Sequence, residues 1–459
     1  MKIFILILFA LMYVGIIAFP KYKPHITGSA ALIAVVSCAI AGIMKWYEPF
    51  FFISEGGFNS AINYNVVMML VGIMITVGLF SESNMPNKLA DAIISKIPNA
   101  MWILVILSVL SGVISAFVDN VATVLMLAPI GFAVAKKTGV NPIPVLISIA
   151  VSSNLQGAAT LVGDTTSVML AGELGMKFMD FFFMDGRISI FWAVELGMIL
   201  TVPVLIFIFR KNNQKFKIES EDVKVSTMFP TYMLILNILA LVACSFVEIP
   251  AGFIADNING LICLLFGITC LVYHVVSAKK TVEVTNEDGT VSTVNGKKTA
   301  WKTVFETIDY TTVLFLIFLF IIIRAVDRVG IIADIASFFG WVGKEGSLFL
   351  LYTLVVFGSV LISAFIDNIP YVATMLPVIM SLTGLAPNEY TLLCFGLLCG
   401  ATLGGNITPV GASANVVAIG MLNKEGYNVK SSDFFKIGIP FTLVAVLGGY
   451  ALIFLAWGL

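Results

Sequence analysis

Two short segments of the chain place an aspartate and an asparagine inside strongly apolar surroundings. SAFVDN ends at Asn120, and SAFIDN ends at Asn368, 248 positions later. Asp and Asn are common helix N-caps, so each pair can simply begin a helix. In a membrane, however, a central aspartate costs about 2.5 kcal/mol or more, and such residues usually mark ion or proton pathways. The repetition therefore favours an ion-binding role for Asp119, Asn120, Asp367 and Asn368 alongside capping.

A second pair of segments follows at the same offset. LQGAATLVGDTTS covers 155–167, and LGGNITPVGASAN covers 403–415. Glycines let the backbone approach a ligand, and unwound helix ends direct their dipoles at it. Gly-rich packing kinks are the alternative interpretation. Together with Thr123 near the first Asp-Asn pair, the further candidate ligands are Gly157, Thr160, Asp164, Thr165, Asn406, Thr408, Ser413 and Asn415.

Three of these candidates are carboxylates, and their charge limits the cargo. Asp119, Asp367 and Asp164 would make a shared site electronegative, which disfavours a dicarboxylate dianion. The same charge favours a cation, a proton or a neutral hydroxylated species, and a carboxylate can carry a proton without any histidine. Glu195, inside an apolar segment, is a candidate second proton site, with a structural hydrogen bond as the equal alternative.

The composition places these residues in a membrane protein. Hydrophobic residues make up 59% and charged residues 12% of the 459 positions, against about 45–50% and about 25% in soluble domains. The net charge of −1 gives no reason to expect a nucleic-acid partner. The six cysteines show no CxxC spacing, and no HExxH or Ser-His pairing is present, so we expect neither an enzyme nor a bound metal or cofactor.

We predict an all-α polytopic membrane protein with about ten membrane-crossing helices and two re-entrant hairpins. The hairpins cover 101–135 and 347–383, each with an Asp-Asn pair near its centre. A continuous helix of about 35 residues would be about 52 Å long, far beyond a hydrocarbon core of about 30 Å, so each stretch must break. Two complete spans per stretch are the alternative. Two helices interrupted by Gly-rich loops are expected over 142–175 and 389–422.

The shared offset divides the chain into two halves. We predict N-terminal scaffold helices over 1–59, a first repeat over 60–209, linking helices and cytoplasmic loops over 210–302, and a second repeat over 303–459. An odd number of crossings separates equivalent elements, so the two repeats are inverted, as in many secondary transporters. Most of the 26 Lys and Arg residues fall inside if both termini lie outside, which the positive-inside rule supports. The predicted location is the cell membrane.

The motifs SAFVDNVATVLMLAPI, GAATLVGDTTSVMLAG and GGNITPVGASANVVAIG resemble the ion transporter superfamily. Within it, the chain is similar to the branch of ArsB-type arsenite permeases, the melanosomal P protein and NhaD-type sodium/proton antiporters, which share a citrate-transporter-like domain. The resemblance implies a scaffold and a transport domain in each protomer of a homodimer. It also implies a site formed by two hairpin tips and two unwound helices, and an elevator-like motion.

The tips depart from the carboxylate-transporting branch of this superfamily, whose tip carries Ser-Asn-Thr. Here an Asp stands in the Ser place, and Val121 and Ile369 stand in the Thr places. We therefore expect a secondary active transporter, coupled to protons through Asp119 and Asp367, for a metalloid such as arsenite or another small inorganic ion. Sodium/proton antiport is the alternative, so the coupling ion is H⁺ or Na⁺. A dicarboxylate transporter and a channel are less favoured.

Overall fold

The computed structural model describes residues 1–43, 61–215, 223–247, 249–250, 252–278, 281–285, 291–345 and 347–459. Parts of the predicted units 1–59 and 210–302 therefore lie outside the described residues. Within them the architecture is all-α, as expected, and the strands form only two small antiparallel hairpins. In the first hairpin Phe183 pairs with Ile188, and in the second Thr281 pairs with Asn295.

The helices follow the apolar segments of the sequence closely. In chain order they are α1 (Lys2–Ala18), α2 (Lys23–Ile43), α3 (Tyr64–Glu82), α4 (Met85–Ile94), α5 (Ala100–Ser115), α6 (Asn120–Thr138), α7 (Pro142–Gly157), α8 (Thr165–Leu174), α9 (Ile190–Phe209), α10 (Phe229–Ser245), α11 (Phe253–Asp256), α12 (Ile258–Ser277), α13 (Gly296–Thr307), α14 (Tyr310–Arg328), α15 (Ile331–Glu345), α16 (Leu348–Ser363), α17 (Asn368–Met380), α18 (Pro387–Gly404), α19 (Ser413–Lys424) and α20 (Ser431–Trp457). The strands are β1 (Phe183–Met184), β2 (Arg187–Ile188), β3 (Thr281–Thr285) and β4 (Val291–Asn295).

Seven of the helices in the described ranges are long and apolar enough to cross a membrane. The helices that lead to the two Asp-Asn pairs are shorter. α5 and α16 have 16 residues each, which corresponds to about 24 Å of rise against a hydrocarbon core of about 30 Å. Both helices are therefore shorter than a helix that crosses the core along its normal.

The internal repeat extends over most of the helices. α5, α6 and α8 begin 248 positions before α16, α17 and α19 respectively, and α3 and α14 have the same length at an offset of 246. The amphipathic helix α4 also has a counterpart in α15, at that same offset of 246.

The two halves are tied together by exchanged helices. α2 packs against α14 of the second half, whereas α12 packs against α3 of the first half. The second contact is close because Gly72 has no side chain: a Cβ there would lie 2.2 Å from the Cys263 carbonyl carbon. Gly28 allows a similar contact between α2 and α14, because a Cβ there would lie 2.9 Å from the Phe318 ring. Each half thus depends on a helix that precedes the other half in the chain.

Candidate functional site

The first Asp-Asn pair forms the turn between α5 and α6. The Asp119 carboxylate caps α6 by accepting hydrogen bonds from the backbone N–H groups of Val121 at 3.0 Å and Ala122 at 3.2 Å. The neighbouring Asn120 is buried, and its side-chain oxygen accepts a hydrogen bond from Ser115 Oγ at 2.7 Å. The cap fixes the carboxylate at the point where the chain reverses.

The second pair repeats this turn between α16 and α17. Asp367 accepts a hydrogen bond from the backbone N–H of Ile369 at 3.3 Å and a second from Ser413 Oγ at 3.2 Å. Its side chain is 22% exposed, and Lys23 Nζ lies 3.8 Å from Asp367 Oδ2. Each tip aspartate thus caps its helix and is only partly buried, and the capping agrees with the expectation from the sequence.

The Gly-rich loops that separate α7 from α8 and α18 from α19 fold back onto the tips. Thr160 Oγ1 donates a hydrogen bond to the carbonyl of Ala116, and Thr408 Oγ1 donates the equivalent bond to Ala364. A Cβ on Gly163 would lie 2.6 Å from the Gly157 carbonyl oxygen, so the backbone contact requires glycine there. These residues position the loops against their hairpins.

Asp164 connects the two halves of the protein. It caps α8, with Thr165 N donating to Oδ1 at 2.7 Å and Thr166 Oγ1 donating to Oδ2 at 2.9 Å. Asn368 Nδ2 of the second tip donates to the same Oδ2 at 3.3 Å. Only 7% of Asp164 is exposed, and Asp119 and Asp367 are its charged neighbours. A loop carboxylate of one half is therefore held by the tip of the other.

Three buried asparagines form a second link between the halves. Asn154 Nδ2 lies 2.8 Å from Asn406 Oδ1 and 3.0 Å from Asn415 Oδ1. Asn406 in turn donates to the Val151 carbonyl at 3.0 Å, and Asn415 donates to the Gly405 carbonyl at 2.9 Å. This network connects α7 to the broken helix of the second half, which consists of α18 and α19. Asn406 and Asn415 therefore hold the two broken helices together.

One cavity of about 970 Å³ brings many of the predicted residues together. The predicted residues that line it are Asp119, Asn120, Asp164, Thr165, Asp367, Asn368 and Ser413. The other predicted residues do not line it and lie behind its wall: Thr123, Gly157, Thr160, Asn406, Thr408 and Asn415. Thr123 Oγ1, for example, points to the Val118 carbonyl at 3.4 Å. These residues can shape the site but do not face its space.

The remaining predicted proton site lies elsewhere. Glu195 is half-buried on α9, beside the Gln156 side chain, and it does not line the cavity. Within the described ranges, no group of three or more His, Cys, Asp or Glu side chains is placed to hold a metal ion. The cavity carboxylates are thus arranged around a common space without converging on one point.

The cavity wall includes polar residues that the sequence motifs did not indicate, among them Lys23, Asn154 and Asp309. Asp309 caps α14 by accepting a hydrogen bond from Thr312 N at 3.1 Å. Each of the three lies at or near the end of an apolar helix, and that position was the available signal.

A smaller cavity of about 390 Å³ lies at the opposite ends of the same helices. α3 begins at this cavity with Asn63 and ends at the large one with Glu82. The small cavity also contains Pro377, the repeat equivalent of Pro129 in the large cavity, and an Arg324–Asp327 ion pair at 3.3 Å. The 248-position repeat thus places related residues at two cavities, which lie at opposite ends of α3.

Comparisons with known proteins agree with this architecture. A family model described as "Citrate transporter" matches residues 4–393. An uncharacterized transporter of Mycobacterium tuberculosis is 27% identical over 435 residues, which cover 93% of this chain and 91% of that protein. The P protein of Homo sapiens is 25% identical over 457 residues, which cover 86% of this chain and 54% of that protein. This similarity confirms the resemblance inferred from the motifs.

A solved structure provides the comparison of folds. The YdaH transporter of Alcanivorax borkumensis aligns with a TM-score of 0.61 at 13% sequence identity, covering 95% of this chain and 99% of that chain. At this identity the match concerns the fold alone. It extends over nearly the whole of both chains, so the two share their overall arrangement of helices.

Proposed function

Since the chain belongs to the citrate transporter family and is thereby a multi-pass membrane transporter, we propose that it moves a small inorganic ion or a metalloid such as arsenite, coupled to protons, by alternating access. In this proposal Asp119 and Asp367 carry the protons. The observation that supports it is one cavity lined by aspartates from both halves of the repeat, with a single lysine among the described lining residues.

The charge of the cavity argues against a free di- or tricarboxylate as cargo. Asp119, Asp164, Asp309 and Asp367 face the same space, and Lys23 offsets one of these charges. Two like charges at about 4 Å repel by about 4 kcal/mol at an effective dielectric constant of about 20. A dianion would be repelled by several of these carboxylates at once. A cation or an uncharged hydroxylated species such as arsenous acid would not be repelled.

The two cavities support alternating access. They lie at opposite ends of α3 and α8, and the hairpin tips and Asp164 lie between them. In the present state the larger cavity contains all the tip residues, and the smaller cavity contains none. We propose that a movement of the tips relative to α3 and α14 exchanges the two cavities, in the manner of an elevator.

The finer architecture follows from the same repeat. We propose about ten crossings, re-entrant hairpins over 101–135 and 347–383, and repeats over 60–209 and 303–459. Within each repeat the hairpin and the broken helix move against α3, α14 and the scaffold helices in 1–59 and 210–302. Both termini lie outside in this proposal, and the large cavity opens to the cytoplasm. Two protomers associate through their scaffolds, as the family resemblance implies.

Sodium/proton antiport is the second candidate, and the surroundings of Asp164 favour it. Thr166 Oγ1 lies 2.9 Å from its Oδ2, and Thr165 and Asn154 line the adjacent wall. In broken transporter helices, unwound backbone carbonyl oxygens commonly complete such a Na⁺ site. The same carboxylates would then alternate between Na⁺ and H⁺.

Flux into proteoliposomes tests the proposal. Arsenite, Na⁺, citrate and succinate are compared as cargo for the purified full-length protein, with and without a pH gradient. We expect saturable arsenite flux that follows the gradient, and Na⁺ flux of the same kind would select the second candidate. Saturable citrate or succinate uptake would refute the electrostatic argument, and unsaturable flux independent of the gradient would indicate a channel.

A further inference from the structure

Lys23 is the one Lys or Arg side chain that lines the large cavity in the part of the chain described. It is the first residue of α2, and its side chain is 15% exposed. The Nζ atom lies 3.8 Å from Asp367 Oδ2 and 5.3 Å from the centre of the Phe315 ring. A cation so far removed from water needs a counter-charge, and Asp367 supplies it.

The pairing distinguishes the two tips. Both tip aspartates accept backbone N–H bonds of their own helices and have Lys23 as a charged neighbour, but the ion pair of Lys23 is with Asp367, 3.8 Å away. α12 packs against α3 of the first half as α2 packs against α14 of the second half; it begins Ile258-Asn259-Gly260 and contains no Lys or Arg. Both halves of the repeat therefore carry a tip aspartate, but within the described ranges only Asp367 forms an ion pair with a lysine.

The ion pair also joins elements that our proposal assigns to different moving parts. α1 and α2 together contact one end of α17, because Tyr13 Oη donates to the Pro370 carbonyl at 2.7 Å and lies 2.5 Å from Thr374 Oγ1. Lys23 adds the contact to Asp367 at the tip itself. The other charged groups facing this space are Asp119, Asp164, Asp309, Glu82 and Glu306.

We propose that Lys23 is a tethered counter-cation that neutralises Asp367 in the unloaded carrier and competes with the transported cation or proton for that carboxylate. The proposal rests on the proposed function. Binding of a cation or a proton at Asp367 displaces the lysine and releases the tip from α2. When the cargo leaves, Lys23 returns and restores the neutral pair, so the tip is never a bare carboxylate. Lys23 is thus a residue that sets affinity and coupling.

Sodium binding to the purified full-length protein tests this competition. Na⁺-induced thermal stabilisation is measured for wild type, Lys23→Gln, Lys23→Arg and Lys23→Gln/Asp367→Asn, with choline at equal ionic strength as the reference. Removing the competitor should tighten Na⁺ binding by about tenfold, equivalent to about 1.4 kcal/mol. Lys23→Arg should bind Na⁺ about as tightly as wild type. Lys23→Gln/Asp367→Asn should not show the tighter Na⁺ binding of Lys23→Gln. Lys21→Gln, an exposed neighbour on the same turn, is the matched control.

A kinetic measurement separates this role from a structural one. In proteoliposomes we expect Lys23→Gln to lower both the KM for the cation and the maximal rate of proton-driven flux, with Lys23→Arg restoring both. Unchanged or weaker Na⁺ binding in Lys23→Gln, or a gain that persists without Asp367, would overturn the role of Lys23. Wild-type protein that moves neither arsenite nor Na⁺ would instead overturn the proposed function.

Discussion

Each tip aspartate combines a structural and a chemical role in one side chain. The Asp119 and Asp367 carboxylates begin α6 and α17 by accepting backbone N–H bonds, and both face the large cavity. An asparagine accepts the same capping bonds as an aspartate but carries no charge and takes up no proton. The two roles can therefore be separated by a single substitution.

We predict that Asp119→Asn and Asp367→Asn abolish proton-dependent flux while leaving the fold intact. Because Asn and Asp are comparable caps, the free energy of unfolding should change by less than about 1 kcal/mol in Asp119→Asn. The loss should be larger in Asp367→Asn, because Lys23 is left without its counter-charge. Flux in proteoliposomes and thermal unfolding in detergent measure the two effects. Asp185→Asn is the control, since Asp185 lies in a turn outside the cavity with a positive φ of 50°, which asparagine tolerates. Wild-type proton-driven flux in both tip variants would contradict their assigned role.

The glycines of the loops are required by contacts with backbone atoms. A Cβ on Gly411 would lie 2.7 Å from the Gly405 carbonyl oxygen and 2.8 Å from that of Ala364. These atoms belong to the backbone and cannot rotate away, so we predict that Gly411→Ala destabilises the protein by about 1–3 kcal/mol.

Gly420→Ala is the matched control for that substitution. Gly420 lies within α19, where an added Cβ meets nothing within 4 Å, so alanine there should be neutral or stabilising by up to about 1 kcal/mol. Unfolding by heat in detergent compares the two variants. Equal stability of Gly411→Ala and Gly420→Ala would show that the loop can relax away from the tip.

At the scale of elements, each broken helix is attached to the hairpin of its own half. The hydroxyls of Thr160 and Thr408 bond to the carbonyls that end α5 and α16, so loop and tip form one unit. A unit of this kind can move as a rigid body, which an elevator mechanism requires. The asparagine network around Asn154 then fastens the two units to each other.

We predict that Thr160→Val and Thr408→Val each lower the free energy of unfolding by about 1 kcal/mol or more, because a buried carbonyl loses its donor. Both variants should also transport more slowly, because the loop is no longer hydrogen-bonded to the tip. Thr269→Val is the control, because Thr269 is exposed and bonds only to Leu265 of its own helix. Full stability and transport in the Thr160→Val/Thr408→Val double variant would contradict the coupling of loop and tip.

At the scale of the whole molecule, the repeat places two related cavities at opposite ends of α3. Leu125 lines the large cavity, and its repeat equivalent Ala373 lines the small one. In the conformation described the tip residues line the large cavity, and the Arg324–Asp327 pair lies in the small one. Exchange of the two cavities would move the tips from one side of the membrane to the other.

We predict that cysteines introduced by Leu125→Cys and Ala373→Cys react with a membrane-impermeant maleimide from opposite sides. Leu125→Cys should react faster in this state, because Ala373 is only 5% exposed. Right-side-out and inverted vesicles give the sidedness, in a background in which Cys244, the one partly exposed native cysteine of the described residues, is replaced by alanine. Labelling of both positions from the same side would contradict alternating access through these cavities.

The sequence by itself determined the membrane class, the repeat at 248 positions, the capping of both tips by Asp119 and Asp367, and the family resemblance. These follow from local properties, because apolar runs, caps and chain breaks each depend on a few neighbouring residues. The bounds 101–135 and 347–383 agree to within a few residues with the helix pairs α5–α6 and α16–α17.

Only the tertiary structure decided which polar side chains share one space. Thr160 and Thr408 turn away from the cavity, whereas Lys23 enters it from the first part of the chain and Asn368 crosses to Asp164. These contacts join residues that are hundreds of positions apart. Their formation depends on how helices of the two halves pack together, which no local pattern of residue types specifies.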